Sequence, residues 1–145
     1  MFPYPDFKGQ FIVSRGDEPN REGTRRHSLE TLCVDVFDRL DTVAVLDATG
    51  RVVGLFLGTV IDPDAEEIVT ASVRLGVGVD EATNLDELIE EHIYRYTGSF
   101  IFVLETGNAP RIYLDQTGSK PLVYDPPPGP AAATTPLLLE ASDYA

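Results

Sequence analysis

The sequence predicts an α+β fold, and three observations carry that expectation. Two β-rich runs flank a Gly-containing turn at residues 43–57, and two more, at 100–104 and 111–114, flank a second turn. Between these pairs, from Asn84 onward, the apolar residues take up a helical period. With 145 residues, 43% of them hydrophobic and 24% charged, the chain can bury one core, so residues 1–145 are expected to form a single domain.

Taken in order, Met1-Phe2-Pro3-Tyr4-Pro5-Asp6 lacks the basic and apolar segments of a signal peptide, and no apolar run nears the roughly 18 residues that a membrane span needs. A cytoplasmic protein with no membrane partner is expected. Phe7 to Ser14 holds a short apolar stretch that reads as a strand, and the polar segment from Arg15 to His27, with no apolar period, reads as a mobile loop. Residues 28–40 fit two periods: Leu29, Leu32, Cys33, Val36, Phe37 and Leu40 follow helical spacing, while Cys33 to Phe37 also serves as a strand, and the reading leans to helix. Val43 to Asp47 and Val52 to Leu57, joined through Ala48-Thr49-Gly50-Arg51, have the pattern of a hairpin. Ile68 to Val73 is a β-branched stretch that Gly76 and Gly78 break.

Leu85, Leu88, Ile89, Ile93 and Tyr96 fall on one helical face, which predicts the clearest helix of the chain. Asn84 suits its N-cap, Glu87 completes a capping box, Asp86 and Glu87 suit the positive end of the helix dipole, and Gly98 suits the C′ position. Phe100 to Leu104 then reads as a buried strand, Thr106 to Pro110 as a turn and Arg111 to Leu114 as the partner strand. Val123-Tyr124 and Ala131 to Thr135 flank the proline-rich stretch from Asp125 to Pro130, whose prolines favour a stiff turn. The tail, Pro136 to Ala145, begins with apolar Leu137-Leu138-Leu139, and three adjacent leucines cannot all point inward from one element. These three residues are therefore the candidate interaction segment, docking on a further domain, a partner or a second copy of the chain.

Composition excludes several function classes. The formal charge of -13 repels phosphate backbones and anionic headgroups, so no nucleic-acid partner is expected. The basic cluster Arg21, Arg25, Arg26 and His27 reads as a solvated loop. Cys33 lies in apolar sequence and reads as a buried inert thiol, and two histidines with one cysteine build no zinc site without carboxylates. No metal and no cofactor are expected. Gly76-Val77-Gly78 lacks the third glycine and the helix start of a dinucleotide loop, and Asp62-Pro63-Asp64 reads as a turn before it reads as a cation site. His92 lies beside the apolar face of the helix as a packing residue, and neither Ser14 with His27 nor Ser99 with His92 has an acidic orienter at motif spacing.

The informative stretch runs from Ile112 to Tyr124, a strand, a polar turn at Gly118 and a strand entered through Pro121. It resembles the segment Arg-Asp-x-x-Gly-x-Lys-Pro-Leu-Tyr-Tyr of the N-terminal glutamine amidotransferase domain of asparagine synthetases and their relatives. Asp115, Gly118, Lys120, Pro121, Leu122 and Tyr124 match that segment, Gly98-Ser99-Phe100 matches the strand start before it, and Ala133-Thr134-Thr135 stands at the family's next short strand. The similarity covers residues 84 to 139. It implies a four-layer αββα sandwich of N-terminal nucleophile hydrolase type, whole or truncated.

The resemblance also implies a site whose chemistry is gone. The family's nucleophile is an N-terminal cysteine exposed by removal of the initiator methionine, and position 2 here is Phe2. Its oxyanion hole uses an Asn-Gly pair, for which Leu57-Gly58 has lost the amide donor. The acidic residue that grips the glutamine α-amine would fall at Asn84. No catalytic residue is therefore assigned, and Asp115 to Tyr124 is read as framework. Cleavage after Leu32 would expose Cys33 as a substitute nucleophile, but the glycine that follows the family's cysteine is missing there. The expected function is a non-hydrolytic amidotransferase-like domain that scaffolds or regulates an asparagine-synthetase-like ATP-pyrophosphatase partner making an amide, lactam or macrolactam. The alternative is a free-standing binding protein.

Overall fold

The structure is a computed structural model that describes residues 9–15, 23–29, 32–76, 78–79, 84–105, 110–115, 123–124 and 132–133. Its strands, in chain order, are β1 Phe11–Arg15, β2 Arg25–Ser28, β3 Leu32–Val36, β4 Thr42–Leu46, β5 Val52–Asp62, β6 Glu67–Ile68, β7 Val73–Arg74, β8 Thr97–Glu105, β9 Pro110–Leu114, β10 Val123–Tyr124 and β11 Ala132–Ala133. A short helix α1, Leu85–Leu88, continues into a π-helical turn, Ile89–Ile93. Sheet therefore dominates, in two separate sheets that belong to two compact units, Met1–Leu40 with Pro121–Ala145 and Asp41–Lys120. Among the described residues no helix is long and apolar enough to cross a membrane.

The first unit holds a five-stranded antiparallel sheet in the order β10-β11-β1-β3-β2. Cross-strand pairing puts Phe11 beside Val36 and Val13 beside Val34 on one face, and Ile12 beside Asp35 and Ser14 beside Cys33 on the other. All eight are buried, so β3, flanked by β1 and β2, has no solvent face. That is why residues 28–40 satisfied two periods, and it corrects the lean to helix: a strand buried on both faces loses its alternation, and β-branched Val34 and Val36 then decide for strand. The loop expected from Arg15 to His27 is corrected as well, because Arg25–Ser28 forms the edge strand β2. An edge strand needs no apolar alternation, and among the described residues its ladder runs to β3.

The second unit holds the sheet β7-β4-β5-β8-β9, with β6 on the far end of the eleven-residue β5. The hairpins expected at 43–57 and 100–114 are β4–β5 and β8–β9, both antiparallel. Between Val45 and Leu46 the register shifts, opposing Gly54 and then Val52, so Val53 is the extra residue of a β-bulge and joins the cluster that contains Phe56. The β-branched stretch breaks earlier than at Gly76: β6 ends at Ile68 and β7 starts at Val73, because the chain leaves β5 there and pairs in parallel with β4.

The helix is where it was expected but is shorter, and that reading is corrected. Asn84 caps it, its Oδ1 accepting from the Glu87 N–H at 3.3 Å and its carbonyl from the Leu88 N–H at 3.0 Å. The turn then widens, Tyr94 N–H donating to the Ile89 carbonyl five residues back at 2.9 Å. The helical segment ends at Ile93, so Gly98 is no C-cap but an early residue of β8. Its φ of 121° lies in the left-handed region, and a Cβ there would collide with the Thr59 carbonyl oxygen. Leu88, Ile89, Ile93 and Tyr96 nevertheless join Val43, Val45, Phe56, Phe100, Phe102 and Leu104 in one buried cluster. Phe56 sits at its centre, with ring centroids 4.9 Å from Phe100, 4.8 Å from Phe102 and 5.9 Å from Tyr96.

Candidate functional site

One cross-strand row of the second unit joins two of the segments that carried the resemblance, at Phe100 and Asp115, to Gly58 of the pair where the match fails. Gly58 of β5 pairs with Phe100 of β8, and Phe100 faces Asp115 just past the end of β9. The Phe100 N–H donates to Asp115 Oδ2 at 2.9 Å, and the Asp115 N–H donates to the Phe100 carbonyl at 3.1 Å. Asp115 thus extends the β8–β9 ladder by one rung. Asp115 is buried, and this exchange with the backbone is the reason an acidic group is tolerated there. Of the other motif positions, Tyr124 lies in β10 of the first unit, while Gly118, Lys120, Pro121 and Leu122 lie outside the described residues. Leu137, Leu138 and Leu139 also lie outside them.

At the other end of the row, the Gly58 N–H donates to the Asp41 carbonyl at 2.8 Å, with φ at 123°. Leu57 is fully buried. This pair therefore offers no side-chain donor, and its glycine N–H is engaged within the fold. Asn84 caps the helix, so its amide oxygen serves the backbone. Tyr94, at the end of the π turn, donates its hydroxyl to the Leu114 carbonyl at 3.1 Å. Burial raises its pKa above 10.0, with Tyr113 and Asp115 adding to the shift.

Other candidates resolve into structural roles. Cys33 is a free buried thiol near the start of β3, paired in register with Ser14 on one side and Ser28 on the other. The Ser28 hydroxyl lies 3.8 Å from its sulfur. His27 pairs with Val34 and Ser14 with Cys33, and since neighbours on β3 point to opposite faces, Ser14 and His27 are on opposite sides of the sheet. Burial and the Arg25 charge lower the His27 pKa below 6.5, against a smaller pull from Asp35. His92 has its Nε2 3.9 Å from Glu91. Asp62 accepts the Asp64 N–H at 3.0 Å, and Arg95 lies 3.2 Å from Asp64 and 3.6 Å from Asp62, so this acidic turn is tied by a cation of the protein itself. Among the described residues no three histidine, cysteine or acidic side chains assemble to hold a metal.

Two polar clusters escaped the sequence reading. Arg26 holds Asp35 with both arms of its guanidinium, at 2.8 and 2.9 Å, and the Asp35 side chain is fully buried. The signal was an aspartate set between valines in a strand-like run, which demands a partner. Asp47 organises the β4–β5 turn, taking the N–H groups of Thr49 at 2.9 Å and Arg51 at 3.2 Å together with the Thr49 hydroxyl. Arg51 reaches onward to the Val79 carbonyl at 2.7 Å. The signal there was Asp-x-Thr-Gly, a side-chain-to-backbone turn pattern. Comparison of the chain with protein-family models, with curated proteins and with solved structures finds no match.

Proposed function

We propose that the chain is a glutamine-amidotransferase-like domain of asparagine-synthetase type that no longer hydrolyses glutamine and serves an ATP-dependent amide-forming partner. The observation that carries the reading is the Gly58–Phe100–Asp115 row, which makes spatial neighbours of two separated segments of the resemblance and of the glycine expected at its oxyanion pair. The non-hydrolytic part rests on Phe2 at the nucleophile position, on Leu57 beside an engaged Gly58 N–H, and on Asn84 acting as a helix cap. On this reading the fold is of the αββα sandwich type that the resemblance implies, and each unit's sheet holds a strand with both faces buried, β3 in one and β8 in the other. Leu137, Leu138 and Leu139 are the proposed docking segment for the partner.

The substitute nucleophile at Cys33 has little in its favour. Freeing its α-amine means cutting the backbone within β3, a strand paired on both sides.

The test has two arms. Purified chain with glutamine is expected to release no ammonia above a buffer blank, and release that Cys33→Ala abolishes overturns the non-hydrolytic reading. In sedimentation with a synthetase-type ATP-pyrophosphatase encoded beside it, the chain is expected to form a complex that Leu137, Leu138 and Leu139 to Ser weakens. No complex with the unaltered chain removes the partner and leaves a free-standing binding protein.

A further inference from the structure

We draw no further inference here: the strongest candidate, the cross-strand row Ser14, Cys33 and Ser28 on one face of the first unit's sheet, where the Ser14 hydroxyl is buried without a hydrogen-bond partner among the described residues, carries nothing because nothing in the structure shows what would occupy it.

Discussion

Asp47 sits almost out of water at the tip of a hairpin, yet its pKa is lowered, first by the Thr49 hydroxyl and then, against the cost of burial, by the N–H groups of Thr49, Arg51 and Val79. A carboxylate whose folded pKa lies below its ordinary 3.8 stabilises the fold fully above that pH, and the contribution is lost as pH falls through the folded value. The stability gap between the wild type and Asp47→Asn, read from urea unfolding, should therefore be constant from neutral pH down to 3.8 and narrow below it. A gap that stays unchanged in acid would show that the carboxylate's charge does not matter there. Arg26 and Asp35 make the opposite kind of pair, with one charge fully buried and the other nearly so. Arg26→Ala removes both guanidinium bonds from that carboxylate and should cost about 3–5 kcal/mol, while Arg26→Met with Asp35→Leu should recover most of it. A loss below about 1 kcal/mol for the single variant would make the pair dispensable.

Among the elements, β8 is the most constrained, buried from Phe100 to Glu105. Its two faces carry different neighbours: Phe100, Phe102 and Leu104 point into the aromatic cluster, while Ile101 and Val103 are buried on the other side. Phe102→Ala should cost about 3–5 kcal/mol and Phe100→Ala a similar amount, measured as a shift in denaturation midpoint. Leu114→Ala, on the edge strand and 38% exposed, should stay within about 0.5 kcal/mol. Equal effects at Leu114 and Phe102 would place the core elsewhere. The hairpins around β5 and β8 were legible because their Val, Leu, Ile and Phe runs are long and bounded by turn chemistry. Of the helix, the sequence disclosed the cap at Asn84 and the buried positions Leu88, Ile89, Ile93 and Tyr96, but not its end. A π turn and the bend at Tyr94 put Tyr96 on the same cluster that a longer α-helix would have reached, so the apolar spacing does not distinguish the two.

At the scale of the molecule, the sheet-dominated α+β character follows from local patterns, whereas strand partners do not. Nothing in Glu67–Ile68 and Val73–Arg74 announces that the first pairs antiparallel with β5 and the second parallel with β4, since such choices are made by contacts far apart in sequence. The candidate site was legible only in part for a related reason. Asp115 stood out by resemblance, but its bond to Phe100 depends on a register that the chain reveals only when folded. The position of the chain's one cysteine, on a strand paired on both sides in one of two units, has a kinetic consequence. A thiol reagent can reach Cys33 only when that sheet opens, so alkylation under native conditions is a clock for opening, slowed by the rarity of the open state. Alkylation should be far slower than in the denatured chain, and Arg26→Ala should quicken it; equal rates in both states would refute the burial of Cys33. Phe102→Ala, which loosens the other unit, should quicken it only if the two units unfold as one cooperative body, so a single sulfur atom reads out the cooperativity of the whole chain.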